Sequence, residues 1–444
     1  MRHTTFACLL AILTLMVSCT DYDTVSYETY PLSITLSSPI DGAAVPSVSV
    51  TLSTTQGNAW QSVTDAQGTA HFVLPVGDYS LSASGRMRVG DADYILGCST
   101  SGIKVTDTSS ADVTLVMTAS RCGSLIIREV YSGGCQKDDG SGAYYYDKYV
   151  ILYNNGEEPL RMGRICLAMA SPYNAHAANG NYLADGTLSY ATEGFIPAIQ
   201  AFWQFPDSLF LQGGEQVVIA LNGAVDHTTA YSNSVDLSQA GYYCTYDPLV
   251  FTNTTYYPVP SDRIPTSHYL TATFYGQGNA WPFSQLDPAF YIFVAPADVD
   301  LSEYASTQTN LWYNNGSATA SNTCLRIPTD WIIDGVEIYT TTSTNNRKRL
   351  TDAIDAGAVF YTNQRGYSIH RCIDASATRA ITRNAGLLVT GMTPTPDTSA
   401  GVIAADPSGI DAEASRRQGA IIIYQDTNNS SYDFFERYQA SLRP

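Results

Sequence analysis

Tyrosines gathered in glycine-rich stretches are the most prominent chemistry this sequence offers. Tyr144, Tyr145 and Tyr146 are consecutive, and Trp203, Tyr256, Tyr257 and Trp281 follow among Tyr, Asn, Thr and Gly neighbours. A tyrosine or tryptophan presents a large apolar face with one polar handle and loses little entropy on ordering, which suits recognition of a glycan or peptide. These residues are the candidate ligand-binding set. The competing reading is that they only pack long loops onto the domain.

Groups able to react or to hold a metal are sparse. Cys135 follows a Gly-Gly pair, and a thiol in a loop can be a nucleophile, but no histidine stands beside it in sequence. Asp138-Asp139-Gly140-Ser141-Gly142 and Asp426–Asp433 cluster oxygens of the kind that hold calcium. The second lacks the turn glycine and has Arg437 where a bidentate glutamate belongs, so capped turns are the simpler reading of both. His71, His176, His227 and His268 are isolated, and His370 lies in a strand-like run and reads as structural. Arg347-Lys348-Arg349 reads as a solvated hairpin tip. No nucleophile elbow, zinc-protease pair, P-loop or dinucleotide fingerprint is present. No cofactor is expected, and the balance favours a protein that is not an enzyme. A hydrolase built on two carboxylates brought together in space stays open, because 41 Asp and Glu offer many pairs.

The elements that must position these residues read as β throughout. Runs rich in Val, Ile, Thr and Tyr recur at 47–52, 71–74, 112–117, 124–130, 149–153, 216–220, 289–295, 334–340 and 420–424, divided by Gly, Pro, Asn and Asp. Short strands at such intervals predict β-sandwiches. Hydrophobic residues make up 44% of the chain, with 31 Tyr and 14 Phe, enough for real cores. The net charge of -18 excludes a general nucleic-acid binder, which needs clustered Lys and Arg.

The first residues read as an address. Arg2 precedes an apolar run from Phe6 to Val17, about 12 residues, too short to span a bilayer as a helix. Leu15-Met16-Val17-Ser18-Cys19 resembles a bacterial lipoprotein cleavage box. The resemblance implies a signal peptide over 1–18 and a lipid on Cys19, each buried methylene contributing ~0.8 kcal/mol to anchoring. Residues 19–30 are polar, with Asp21, Asp23 and Glu28, and read as an acidic tether. Acidic residues there resemble a surface-export signal; a periplasm-facing linker is the alternative. With Cys8 and Cys19 set aside, an odd number of cysteines is left, so at least one is unpaired.

Two domains follow. Residues 31–119 carry Thr64-Asp65-Ala66-Gln67-Gly68-Thr69-Ala70-His71-Phe72 and then Pro75-Val76-Gly77-Asp78-Tyr79. This resembles the carboxypeptidase-regulatory, prealbumin-like sandwich family, which implies a spacer without catalysis of its own. Asp65 and Gly68 predict a tight turn between paired strands. Residues 120–444 carry Ile127-Arg128-Glu129-Val130, Tyr149-Val150-Ile151-Leu152-Tyr153-Asn154, Asp334-Gly335-Val336 and Ser368-Ile369-His370-Arg371. In order these resemble the strands of a lamin-tail-like immunoglobulin sandwich, here with insertions at about 168–208 and 224–284. The whole resembles a family of surface lipoproteins with one large domain of unknown function. The resemblance implies an outer-membrane binding or accessory protein, with an outer-membrane transporter and a glycan or peptide as expected partners and no nucleic acid. A structural or adhesion role stays open beside it.

Overall fold

The computed structural model describes residues 28–89, 92–107, 111–122, 124–177, 180–281, 283–391 and 406–443. Cys19, the segment 1–18 and all but the end of the tether lie outside the described residues.

The first unit begins with β1 (Thr29–Ser37), β2 (Ser49–Ser53), β3 (Ala59–Val63) and β4 (Thr69–Pro75). It continues with β5 (Gly77–Val89), β6 (Ala92–Val105), β7 (Ala111–Val116) and β8 (Thr118–Cys122). They form a three-stranded sheet, β4-β1-β7, against a five-stranded sheet, β3-β2-β5-β6-β8. Alternation decides which face is inside: Leu32, Ile34 and Leu36 of β1 and Ala70, Phe72 and Leu74 of β4 meet Val50, Leu52 and Leu81. The predicted turn is present. Asp65 accepts the backbone N–H of Gln67 and Thr69, both at 2.9 Å, and Gly68 sits at φ +74°. A Cβ at Gly68 would lie 2.7 Å from the Leu36 carbonyl oxygen, so only glycine fits.

The second unit opens with β9 (Leu125–Tyr131), β10 (Cys135–Gln136), β11 (Ala143–Tyr144), β12 (Tyr149–Asn154), β13 (Leu160–Arg161) and β14 (Ile165–Met169). Next come β15 (Phe195–Ile199), β16 (Ala201–Gln204), β17 (Phe210–Leu211), β18 (Gln216–Ala220), β19 (Tyr243–Cys244), β20 (Thr271–Phe274) and β21 (Ala289–Val294). The last are β22 (Leu311–Tyr313), β23 (Thr323–Pro328), β24 (Ile332–Thr340), β25 (Val359–Tyr361), β26 (Ser368–Arg371) and β27 (Phe434–Arg437). Two six-stranded sheets, β19-β18-β12-β9-β26-β27 and β20-β16-β14-β21-β24-β25, enclose the main core around Ile127, Leu152, Leu167, Trp203, Ile292 and Val336. The chain is thus all-β, built as sandwiches.

Strands β9, β12 and β14 are buried along their whole length, which requires cover on both faces. The three-stranded sheet β15-β23-β22 supplies it for the second large sheet, through Phe195, Ile196 and Leu325 packed on Phe202, Tyr291 and Phe293. The first is covered by loops carrying Val235, Leu237 and Ile264 and by the segment around Ile422 and Tyr424.

Three expectations need correction. Segments 168–208 and 224–284 are not simple loop insertions: the first contributes β15 and β16, with β16 paired directly to β14, and the second contributes β19 and β20, paired to β18 and β16. Segment 420–424 is not a ladder strand. Its backbone is held by side chains instead: Ile421 N–H donates to Asn384 Oδ1, Ile423 N–H to Thr378 Oγ1 and Tyr424 N–H to Asn155 Oδ1. Arg347–Arg349 is not a solvated tip, since Arg349 is fully buried against Glu337.

Candidate functional site

The expected aromatic set divides into a surface group and a core group. Tyr144 lies on β11, whose pairing with β10 depends on Gly134 at φ +72°. A Cβ at Gly134 would clash with the Tyr144 carbonyl oxygen, so glycine alone lets the two backbones approach. From there Tyr144 meets Tyr146 at 5.6 Å and Tyr231 at 4.8 Å between ring centroids, and Tyr146 meets Tyr256 at 5.3 Å. All four rings are half-buried and come from three separate segments. Tyr145 is half-buried on the same segment.

Trp203, Trp281 and Tyr257 are core residues, not ligand-facing ones. Trp203 lies on β16 between the large sheets and packs on Phe251 and Trp281. Tyr257 stacks on Phe251 and its oxygen accepts the Trp281 backbone N–H. Adjacent residues Tyr256 and Tyr257 share a turn closed on the Asn253 carbonyl, with Tyr257 inside the core and Tyr256 half-buried at its edge.

The tyrosine group is fixed from below. The buried His227 binds the Gly223 carbonyl oxygen through Nε2 at 2.6 Å, so Nε2 carries the hydrogen and Nδ1 accepts from Tyr144 Oη at 2.7 Å. Burial pushes the His227 imidazole below its ordinary range, and Asp147 opposes this. Asp147 accepts from Tyr131 Oη and Ser234 Oγ, and burial raises its carboxyl. Asp138 accepts the Ser232 backbone N–H at 3.0 Å, tying the Tyr231 loop to the 138 turn. Lys137 Nζ lies 5.9 Å from the Tyr231 ring centroid. His227 is the member that sequence reasoning left out; no motif marks it, because it comes from the loop that closes over Tyr144.

The other expected groups have structural partners. Cys135 is buried, and burial with Asp147 beside it pushes its thiol up to about 12, which removes the nucleophile. Asp139 accepts the Ser141 N–H in a turn. Asp426 and Asp433 face the buried Arg371 guanidinium together with Asp334. His370 is buried beside Arg128 and Glu413.

A separate cleft of about 370 Å³ opens between the two units. Ser49, Thr51, Ser82 and Ser99 on the five-stranded sheet face Asn428, Asn429 and the exposed Tyr432 across it.

The sequence profile described as "Protein of unknown function (DUF4876)" matches residues 212–441, just over half of the chain. The crystal structure of a DUF4876 family protein from Bacteroides thetaiotaomicron VPI-5482 aligns at 18% identity over 91% of this chain and 94% of that one, with a TM-score of 0.53, which establishes shared fold. A DUF3823 family protein from Parabacteroides merdae ATCC 43184 aligns at 10% identity over 33% of this chain and 69% of that one, with a TM-score of 0.16. Fervidolysin from Fervidobacterium pennivorans, a keratinolytic enzyme related to subtilisin, aligns at 11% identity over 33% of this chain and 21% of that one, with a TM-score of 0.18. No curated protein matches. On the profile match and the shared fold together, the chain belongs to the DUF4876 family of proteins of unknown function.

Proposed function

We propose that this chain is a lipid-anchored binding protein of the outer membrane, tethered through Cys19, which offers its tyrosine face to an external glycan or peptide and serves as an accessory to an outer-membrane transporter. One observation carries the reading: Tyr144, Tyr146, Tyr231 and Tyr256, drawn from three segments, meet ring to ring while each stays half open to solvent. A fold gains little by gathering aromatic rings at its surface unless a ligand covers them. Rings held about 5 Å apart by packing present their faces without further ordering cost. On either side of Tyr256 in sequence, Leu249 is 93% and Val259 73% exposed.

The hydrolase alternative asks for a cleft with one raised carboxyl. Burial pushes Asp334, Asp355 and Asp433 up to about 6, but all three are enclosed and bonded to Arg371 or to backbone N–H groups.

Two measurements test it. The protein is immunopurified from outer membranes in mild detergent and its companions identified; a stoichiometric transporter is expected. Wild type and a Tyr144→Ala/Tyr256→Ala variant are then titrated on glycan and peptide arrays. Binding lost in the variant supports the reading. No ligand and no companion, or equal binding by the variant, overturns it.

A further inference from the structure

The register of β9 against β12 passes from Glu129 opposite Ile151 to Ile127 opposite Leu152, which leaves Arg128 as a bulge residue. Two consecutive charged residues thereby reach the same outer face of the first large sheet. Arg128 turns to Tyr424 and Glu129 to Tyr149 and Ser441. A cavity of about 290 Å³ stands over them, walled by Arg128, Gln216, Glu413, Arg416, Arg417 and Ser441. It is remote in origin from the tyrosine loops and independent of their role.

The charges in this cavity do not balance. Glu413 Oε1 meets the Arg128 guanidinium and lies 3.2 Å from His370 Nε2, while Oε2 lies 3.0 Å from Arg437 Nη1. Burial opposes the ionised form, yet Arg128, His370 and Arg437 together hold the Glu413 carboxyl well below its usual range. Glu129 is taken up by Tyr149 Oη and Ser441. The acids are therefore saturated, whereas Arg416 and Arg417 have no carboxylate within ion-pair distance among the described residues. Arg416 does not point away to solvent as a helix-terminal arginine would. It lies over the Tyr153 ring, 5.4 Å from the centroid, and donates to Gln216 Oε1, the oxygen that Arg128 Nη1 also reaches at 2.5 Å. Two guanidiniums thus share one neutral acceptor. Burial, and then the proximity of Arg128, lower the Arg416 pKa from its ordinary value. In a chain of net charge -18, this hollow carries excess positive charge.

We infer that this cavity is a binding site for a small oxyanion-bearing ligand, a carboxylate or a sulfate or phosphate group, gripped by Arg416 with Arg417 at the mouth. The planar guanidinium fork fits all of these groups through paired N–H···O bonds. Arg128 is a positioning residue: fully bonded itself, it orients Gln216 and neutralises Glu413.

The test is titration calorimetry of the full chain at low ionic strength with sodium glucuronate, sodium sulfate and sodium phosphate as separate probes. Sodium chloride at matched ionic strength is the control. At least one probe is expected to bind at 1:1 with a dissociation constant of about 1 mM or below. Arg416→Gln weakens that probe about tenfold or more and Arg416→Lys less, since lysine keeps the charge and loses the fork. Binding of glucuronate alone assigns a carboxylate ligand, and binding of sulfate or phosphate alone a tetrahedral one. Absence of saturable binding by all three, or equal affinity in a folded Arg416→Gln protein, overturns the proposal. If Arg416→Gln does not fold, Arg417→Gln is titrated in its place: a several-fold weakening supports the site, and no change overturns it.

Discussion

Glu337 and Arg349 face each other in the interior of the second unit, Arg349 Nη2 2.5 Å from Glu337 Oε1, with neither exposed to solvent. The other carboxylate oxygen accepts the backbone N–H groups of Arg349 and Leu350, and Arg349 Nη1 donates to the Pro172 and Tyr173 carbonyls. Removing one partner leaves an uncompensated buried charge. Arg349→Ala should therefore lose about 3–5 kcal/mol of stability. Glu337→Gln/Arg349→Met should lose less than the two single changes summed. Urea denaturation decides it: a loss under about 1 kcal/mol for Arg349→Ala would show that the pair is wet.

Lys148 is buried with its ammonium 4.5 Å from the Phe283 ring centroid, and burial brings its pKa down to about 7 against a small opposing effect of Asp147. The unfolded chain keeps this proton up to about pH 10.4. Between pH 7 and 10 the unfolded state thus binds more protons than the folded one, and stability rises with pH by up to about 1.4 kcal/mol per unit. Lys148→Met removes that slope and keeps the packing. The urea midpoint of wild type should therefore rise relative to that of the variant between pH 7 and pH 9. Parallel curves would mean that Lys148 stays charged when folded.

Thiol reactivity should separate Cys98 from the rest. Cys98 is half-buried on the cleft wall, whereas Cys135, Cys166, Cys244, Cys324 and Cys372 are buried and unpaired. Burial pushes the thiols of Cys244, Cys324 and Cys372 up to about 12. In a Cys122→Ser background, iodoacetamide at pH 8 should label Cys98 first and reach the other five only after denaturation. Rapid native labelling of Cys135 would contradict the burial that removes it as a nucleophile.

The two classes of aromatic should separate stability from binding. Trp203→Ala empties a site between the large sheets and should destabilise by about 3–5 kcal/mol. Tyr256→Ala, at the half-exposed end of the tyrosine row, should cost about 1 kcal/mol or less while weakening any ligand of that face. A thermal melt and the array titration read these two quantities apart.

The strands were legible because each is a short β-branched or aromatic run closed by turn residues, as at 216–220, where expectation and structure coincide. What was illegible is whatever depends on a distant partner. Nothing local distinguishes Trp203 in a strand from Tyr256 in a loop; the pairing of β16 with β14 does. Segment 420–424 has strand composition, but Asn155, Thr378 and Asn384 occupy its backbone N–H groups. The oxyanion cavity left one trace: Arg128-Glu129 interrupts an otherwise apolar run, and strict alternation cannot send both to one side. Only a bulge can, and a bulge leaves no signature in one sequence.

The position of β9 bears on how the domain is made. It is central in its sheet, with β26 on one side, and Glu129 receives Ser441 from 312 residues further along. Pairing across such separations is slow, since loop closure comes before any reward. On the ribosome β9 can pair early with β12 on one side, but its other edge must wait for the distant β26. A product cut short before Phe434 leaves the edge of β26 open, and an open strand edge is a template for aggregation. The central sheet is thus closed last by β27, the strand made furthest along the chain that covers β26.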